Sequence, residues 1–244
     1  MRDSDSAVLV FAARGCDNHP VTGPRSPIPP ASSDSCEAEA QLVLDRDALE
    51  LAESRGETAF RTWTSATLAV VVGRAVTIDD EVDIAYCRAR SIPIVRRDSG
   101  GRSVAIGPGT VQYTFALPYE LFPQAASIGG AKRYCNSLLI AALPDARDVE
   151  MHASGDLTVD GRKVAGLALR RRRSAVLLHG TILTGADIAT IGRVLKHPVR
   201  EPEYRRGRDH ESFLANLGPI DPEQLERDIT RALQSAAPMH GQAR

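Results

Sequence analysis

The chain has 244 residues, of which 43% are hydrophobic, 5% aromatic and 25% charged, and this balance excludes collagen-like and wholly disordered classes. Its 30 lysines and arginines against 31 aspartates and glutamates give a formal charge of -1, which disfavours a nucleic-acid binder driven by bulk positive charge. No apolar run approaches the ~20 residues that cross a bilayer. The apolar residues 7–13 follow Asp3 and Asp5, unlike a secretory signal. We therefore predict a cytoplasmic protein with no membrane and no nucleic acid among its partners.

Cysteine and proline usage describes the N-terminal part. Cys16, Cys36, Cys87 and Cys135 form no CxxC pair and no metal-ligand spacing with histidine, which predicts reduced thiols and no metal site. Residues 14–37 are rich in proline, glycine and serine, so they have too few large apolar side chains to offset the entropy of ordering them. We predict that residues 1–37 are a flexible arm and that residues 38–244 fold as one domain.

The elements that follow mix helices with hairpins. Apolar spacing near 3.6 residues predicts a helix from Glu37 to the glycine at 56. Asp160-Gly161 between two β-prone runs is typical of a two-residue hairpin turn. The mixture predicts an α+β fold, a single domain with a mainly antiparallel sheet packed by helices. In chain order, strands are predicted at 59–63, 67–72, 94–97, 102–106, 110–117, 156–159, 163–170 and 175–183, and further helices at 79–90, 126–143, 186–195, 210–217 and 222–236.

A glycine-rich stretch, Arg96-Arg97-Asp98-Ser99-Gly100-Gly101-Arg102-Ser103-Val104, joins two of the predicted strands. Glycines let backbone amides approach a phosphate, and neighbouring guanidinium groups can hold it with paired hydrogen bonds. Two glycines between strands also occur in simple turns. Taken alone, this stretch supports both interpretations.

Lys163 follows the predicted hairpin turn, beside Val159, Val164 and Ala165, which should remove water from its surroundings. A lysine in such a place can act as a fixed positive charge toward a phosphate or a developing oxyanion. The alternative is a solvent-exposed lysine next to a turn.

His179 stands alone in the apolar strand Leu177-Leu178-His179-Gly180-Thr181-Ile182-Leu183. Such a histidine is either a packing group with satisfied hydrogen bonds or a functional residue. Two basic clusters, at residues 170–173 and at 205–208, are either solvated faces or attractive to an acidic partner protein.

In this order the stretches resemble the lipoate-protein ligase A family, part of the biotin/lipoate protein ligase catalytic-domain superfamily that includes octanoyltransferases and biotin-protein ligases. Residues 96–101 are similar to the family's RRxSGG motif, and Gly107-Pro108-Gly109 with Gln112-Tyr113 to its GPG-x-x-x-Y strand. Residues 155–166 resemble its DL…G[KR]K[IV]xG lysine motif, residues 179–183 its HGTLL motif, and residues 201–210 a PEYRxGRxH segment. The similarity covers about residues 41–217. Arg102 stands at the family's usual third glycine, and Leu167 and Leu169 replace residues that are usually small or polar.

The resemblance implies a two-step acyl transfer with ATP and Mg²⁺ as cofactors. The carboxylate of lipoate or octanoate attacks the α-phosphate of ATP, pyrophosphate leaves, and a lysine of a lipoyl-domain acceptor protein takes the acyl group. The implied catalytic residue is Lys163, and Val104, Leu178 and Leu183 are candidates for an apolar tunnel around the acyl tail. The residues implied to bind ATP or the acyl-adenylate are Arg97, Ser99, Gly100, Gly101, Arg102, Ser103, Val104, Ala105, Asp156, Lys163, Gly166, His179 and Gly180.

The sequence also bears on alternative functions and on the partners of the protein. An octanoyltransferase that uses acyl carrier protein needs a cysteine near the lysine motif, and none lies there in sequence; a biotin-protein ligase needs a GRGRxGR loop, which is absent. A non-catalytic module that binds lipoate or a lipoylated protein is the alternative outside the enzymes. Only 27 residues follow Leu217, so we expect a catalytic domain without the family's C-terminal accessory domain. Either a separate accessory protein assists it or, as the basic clusters favour, it completes both half-reactions on an acidic acceptor.

Overall fold

The computed structural model describes residues 8–10, 36–144 and 148–236, which form ten strands and seven α-helices. The strands are β1 (Val8–Val10), β2 (Thr58–Trp63), β3 (Ala69–Val72), β4 (Ile94–Arg96), β5 (Val104–Ile106), β6 (Thr110–Pro118), β7 (Glu150–Met151), β8 (Leu157–Val159), β9 (Arg162–Arg171) and β10 (Ala175–Leu183). The helices are α1 (Glu37–Arg55), α2 (Ile78–Glu81), α3 (Ile84–Ala89), α4 (Ile128–Ala142), α5 (Ile188–Val194), α6 (His210–Phe213) and α7 (Pro222–Ala236).

Two sheets build the domain. The larger has the strand order β1-β2-β6-β10-β9-β8-β7, with antiparallel pairing throughout except between β1 and β2. The smaller has the order β4-β3-β5, in which β3 runs parallel to β4 and antiparallel to β5. This confirms the predicted α+β fold with a mainly antiparallel sheet packed by helices.

Strand β10 shows how the sheet separates two environments. Its residues Val176, Leu178 and Ile182 pack into the main core with α4 and α7, whereas Leu177 packs with α1 on the other face. Because side chains alternate between the faces of a strand, His179 lies on the α1 face, opposite Thr114 of β6 and Ala168 of β9. His179 therefore meets Asp45 of α1 on this second face.

Local signals set several boundaries as predicted. Gly56 ends α1 in the left-handed region at φ +68°, where its N–H donates to the carbonyl of Leu51. Asp160 and Gly161 both have positive φ, +51° and +67°, which is the requirement of the hairpin turn that their sequence predicts.

The predicted helix 79–90 is wrong at its centre, because the chain leaves the helix at Val82. There Val82 forms a bridge with Leu195, and Asp83 caps a new helix, α3, by accepting the N–H of Tyr86. The predicted helix 210–217 is also shorter, since Leu214 bridges to Lys163 of β9.

The predicted arm is described only in part. Val8–Val10, within it, form strand β1 beside β2. The rest of the arm up to residue 35, Cys16 included, lies outside the described residues. In the part of the chain that the structure describes, no helix has the length and apolar character to span a membrane.

Candidate functional site

A cavity of about 460 Å³ lies where the two sheets meet. Strands β3 and β5 of the small sheet, strands β6, β9 and β10 of the large sheet, and helix α1 all contribute to its wall. Part of the wall is an apolar cluster in which Leu42, Trp63, Val71, Val104 and Ile106 pack together. Another part of the wall is polar and mainly cationic, with Arg97, Arg102, Lys163, Lys196, Arg200 and Arg205 beside Asp45, Glu81, Asp156, His179 and His210. The cavity therefore suits a ligand with an apolar tail and an anionic head.

Lys163, the second residue of β9, reaches into this cavity from the start of the strand. Its Nζ lies 2.8 Å from Oδ1 of Asp156, and 28% of its side chain is exposed. Its side chain lies over Gly166, since a Cβ at that position would stand only 2.6 Å from Lys163 Cε and Nζ. The glycine thus makes room for the lysine, and the lysine is held at the cavity rather than extended into solvent.

Asp156 fixes the lysine and is itself fixed. It accepts hydrogen bonds from the Tyr204 hydroxyl at 2.8 Å and from Ser154 Oγ at 3.0 Å. Burial raises the pKa of Asp156, but the Lys163 ammonium and these hydrogen bonds outweigh it and hold the pKa below its usual range. The carboxylate is therefore ionised and opposes the charge of Lys163. The sequence predicted no role for Tyr204, although this residue lies in the segment that resembles PEYRxGRxH.

The glycine-rich loop between β4 and β5 is organised around Arg97. This buried guanidinium donates to Ser99 Oγ (2.9 Å), to the carbonyl of Val71 (3.3 Å), and to the carbonyls of Gly100 (2.8 Å) and Arg102 (2.7 Å). Burial lowers its pKa to about 10. Although Arg97 borders the cavity, its hydrogen bonds hold the loop backbone. Gly101, Arg102, Ser103, Val104 and Ala105 line the cavity, whereas Ser99 and Gly100 do not.

Glu81 is a cavity residue that the sequence did not reveal. One oxygen of its buried carboxylate lies 2.5 Å from the Arg102 guanidinium, and the other accepts both the N–H and the hydroxyl of Ser103, each at 2.7 Å. Burial raises the pKa of Glu81, but the hydrogen bonds from Ser103 and the charge of Arg102 outweigh it, so the net pKa lies below the usual range. Glu81 lies on a four-residue helix, 21 and 22 positions before its partners Arg102 and Ser103, with no motif around it to mark it.

His179 is hydrogen-bonded at both ring nitrogens. Nδ1 lies 2.7 Å from Asp45 Oδ2, and Nε2 lies 2.6 Å from Ser99 Oγ. Asp45, from α1, also takes hydrogen bonds from Arg61 at 2.7 Å and from Thr114 at 2.8 Å. The apolar spacing that predicts α1 does not reveal that Asp45 binds residues of three strands.

Other predicted residues divide between the cavity and the core. Asp156, Gly166, His179, Gly180, Val104 and Leu183 line the cavity. Leu178 does not, because its place on β10 turns it into the main core. It is therefore wrong as a tunnel residue, by one position of strand alternation.

The basic cluster at 205–208 is mostly structural. Arg205 is 4% exposed, donates to the carbonyl of Arg208 and stacks over Phe213 at 4.6 Å. Arg208 donates to the carbonyls of Gly161 and Tyr204, both at 2.9 Å. Arg208 thus fastens this segment to the turn before Lys163, and Arg205 binds within the segment and over Phe213. The expectation that Arg205 and Arg208 lie free to attract a partner is therefore wrong. At the other cluster, Arg170 pairs with Asp98 at 2.6 Å, and the three arginines that follow it are exposed.

The described residues supply neither a cysteine at the cavity nor a group of side chains suited to a metal ion. Cys87 and Cys135 are buried in core clusters, Cys36 is half-buried, and none of these three described cysteines lines the cavity. Burial raises the pKa of the Cys135 thiol. Across residues 36–144 and 148–236, no group of three or more His, Cys, Asp or Glu side chains could hold a metal ion.

Residues 37–234 match the family model of the lipoyl protein ligase A/B catalytic domain. A putative lipoate-protein ligase A of Saccharomyces cerevisiae is 25% identical over 179 residues, which cover 70% of this chain and 42% of that protein. Octanoyltransferase LipM of Clostridioides difficile is 25% identical over 199 residues, which cover 71% of this chain and 72% of that protein. The chain thus spans less than half the length of the yeast relative that it matches.

Two solved structures share the fold. The bipartite lipoate protein ligase of Thermoplasma acidophilum, described with its E2 lipoyl domain, superposes with a TM-score of 0.65 at 20% identity, over 81% of this chain and 79% of that one. A lipoate-protein ligase A bound with ATP gives a TM-score of 0.65 at 18% identity, over 82% of this chain and 81% of that one.

Proposed function

The chain belongs to the lipoyl protein ligase A/B catalytic-domain family, and from this premise we propose that it is an ATP-dependent lipoate-protein ligase. It would convert lipoate or octanoate to an acyl-adenylate and pass the acyl group to a lysine of a lipoyl-domain protein, with residues 38–244 as the catalytic unit. The observation that carries the proposal is the Lys163–Asp156 pair, set at a cavity that joins an apolar wall to a cationic one. The ATP-bound relative of the same fold supports it.

Lys163 would stabilise the negative charge that builds up when the carboxylate approaches the α-phosphate. In the first step a carboxylate oxygen attacks the α-phosphorus and pyrophosphate departs, so two anions must approach each other. An ammonium group held at a fixed place offsets this repulsion and stabilises the charge that develops in the transition state. Asp156 holds the lysine in place through the 2.8 Å contact, because it is ionised and is itself bound by the Tyr204 hydroxyl.

The other walls would bind and protect. The apolar cluster around Trp63 would surround the acyl tail and exclude water, which protects a mixed anhydride from hydrolysis. Lys196 and Arg200 add positive charge at the cavity. Mg²⁺ commonly binds through substrate phosphates with few protein ligands. This fits a cavity whose three carboxylates, Asp45, Glu81 and Asp156, are already paired with cations.

A second candidate is an octanoyltransferase, favoured by the likeness to the Clostridioides difficile enzyme. That route, as the family resemblance describes it, takes the acyl group from acyl carrier protein onto a cysteine. The three described cysteines do not line the cavity. A thiol for this reaction would therefore have to come from Cys16, outside the described residues.

Exchange of labelled pyrophosphate into ATP separates the candidates, because acyl-adenylate formation is reversible. We expect exchange that depends on lipoate or octanoate, and a loss of roughly 10² to 10³ in rate for Lys163→Ala, the usual cost of one preorganised charge contact. Lys163→Ala that retains half the wild-type rate contradicts the role of the lysine. Octanoyl transfer from acyl carrier protein without ATP, abolished by Cys16→Ala, would establish the second candidate instead. Lipoate binding with neither reaction would indicate a non-catalytic module.

The acceptor would be a lipoyl domain, as in the archaeal relative, which is described with its own. The arginines at 171–173 are exposed, although Arg172 pairs with Glu53 at 3.6 Å and Arg171 donates to the carbonyl of Ala126, and their positive charge would attract an acidic partner. Lipoylation should therefore slow as salt rises through the screening range. We propose that the chain completes both half-reactions. Adenylate that forms but is transferred only after a second polypeptide is added would show a bipartite system instead.

A further inference from the structure

A continuous chain of hydrogen bonds joins the glycine-rich loop to helix α1. It runs from Arg97 Nε to Ser99 Oγ (2.9 Å), from Ser99 Oγ to His179 Nε2 (2.6 Å), and from His179 Nδ1 to Asp45 Oδ2 (2.7 Å). We name these four residues the relay. Each of them is at most 9% exposed, although they come from α1, from β10 and from the start of the glycine-rich loop.

The direction of the relay is set at its Asp45 end. Asp45 Oδ1 accepts hydrogen bonds from Arg61 and Thr114. Burial raises the pKa of Asp45, but His179, Arg61 and Thr114 lower it to a net value below the usual range, so the group is an ionised acceptor. His179 therefore donates from Nδ1, and in the neutral imidazole Nε2 then accepts a hydrogen bond from the Ser99 hydroxyl. Ser99 Oγ in turn accepts the N–H of Arg97, which leaves every member with a partner.

The relay resembles a Ser-His-Asp triad, but its serine is not placed to attack a substrate. Ser99 is 1% exposed and does not line the cavity. Its oxygen is also engaged by both Arg97 and His179. A nucleophile needs access to the reacting carbon, which a buried serine outside the cavity lacks, so the arrangement serves another purpose.

That purpose follows from what Arg97 does with its remaining donors. One terminal nitrogen draws in the carbonyls of Gly100 and Arg102, at 2.8 and 2.7 Å. In a trans peptide the carbonyl and the following N–H point in opposite directions, so the N–H groups of Gly101 and Ser103 are turned away from Arg97. The N–H of Ser103 reaches Glu81 on that other side. The orientation of the cavity-lining loop thus depends on how Arg97 is held.

We propose that Asp45 and His179 are positioning residues that preorganise residues 97–103 for the nucleotide, acting through Ser99 and Arg97. This rests on the proposed function, in which that loop binds ATP. Cutting the relay releases the Nε anchor of a buried guanidinium and lets the loop carbonyls and amides reorient. Affinity for ATP then falls, while the apolar wall that would hold the acyl tail is unchanged.

Two variants cut the relay at Ser99, the first by removing both hydrogen bonds of its hydroxyl and the second by removing only the bond to His179. Ser99→Ala removes the hydroxyl, and His179→Asn keeps an amide near the position of Nδ1 but loses the group that meets Ser99. We expect each to raise KM for ATP by about 10-fold or more, the usual effect of losing a hydrogen bond to a charged network. KM for lipoate should stay within about twofold. His179→Gln, which restores an amide near the position of Nε2, should recover part of the loss.

Combination and a control separate positioning from general destabilisation. Ser99→Ala with His179→Asn should be no worse than the poorer single variant, because both cut the same chain. Thr62→Val removes a buried hydrogen bond to Glu226 on the far side of β2, so it should lower stability without changing either KM. Parallel rises in both KM values, or larger rises for lipoate, would overturn the proposal and place His179 in direct contact with the acyl group.

Amide hydrogen exchange without ligand tests the relay apart from the activity. Residues 99–103 should exchange faster in Ser99→Ala and His179→Asn than in the wild type, with the exchange in α4 unchanged. Unaltered exchange in the loop refutes the relay even if the protein is a ligase. Faster exchange in a protein whose wild type does not bind ATP supports the relay and refutes the proposed function instead.

Discussion

A single methyl group at position 166 should disable the site without unfolding the protein. In Gly166→Ala the new Cβ would stand 2.6 Å from Lys163 Cε and Nζ. Non-bonded carbon atoms rest about 3.5 to 4.0 Å apart, so the tip of the lysine must retreat by about 1 Å. That movement breaks the 2.8 Å contact with Asp156. Misplacing a reacting group by this distance costs roughly 10² in rate.

The same substitution should barely change stability. Alanine in place of glycine gains ~0.5 to 1 kcal/mol from the lower entropy of the unfolded chain. Loss of a partly exposed ion pair costs about 0.2 to 1 kcal/mol. The two offset each other, and at about 2 to 4 °C per kcal/mol for a chain of this size the melting temperature should move by less than about 3 °C.

Lipoate-dependent pyrophosphate exchange and a thermal melt measure the two effects together. Gly129→Ala in α4 is the matched control, because its Cβ would meet only the flexible end of Arg133, at 3.2 Å. We expect the control to keep the wild-type rate. A Gly166→Ala rate within twofold of wild type, or an equal fall in the control, would refute the argument that Gly166 makes room for a functional lysine.

Two further predictions concern buried charges. Burial raises the pKa of Glu226, so its charge opposes folding more as pH rises; Glu226→Gln, whose amide oxygen can still accept the N–H of Thr62, should be at least as stable as wild type at pH 7 and lose that advantage near pH 4 in urea unfolding. Equal differences at both pH values would contradict this. Arg205→Ala should lower the unfolding free energy by about 2 to 3 kcal/mol, whereas exposed Arg206→Ala should change it by under about 0.5 kcal/mol. Similar small effects in denaturant titrations would return Arg205 to the surface cluster that the sequence predicted.

Local features of the chain were sufficient to predict much of the fold. The helix that ends at Gly56 and the hairpin at Asp160-Gly161 were predictable because the conformation of each depends on its own residues. The ordered motifs also placed Lys163 and the glycine-rich loop around one site. Each of these signals depends on residues that are neighbours in the chain, so the sequence alone is sufficient to predict these features.

The tertiary structure alone decided which side chains meet. Asp45 and His179 are 134 positions apart, and Glu81 and Ser103 are 22 apart, so no local spacing marks either pair. The face of Leu178 was hidden because nearly every residue of β10 is buried, and the apolar–polar alternation that reveals a strand's orientation is missing. Arg97 is polar in any composition count, yet it is buried as the support of its own loop. Burial and hydrogen-bond partnership arise from packing between distant segments, whereas the sequence by itself records only what neighbouring residues favour.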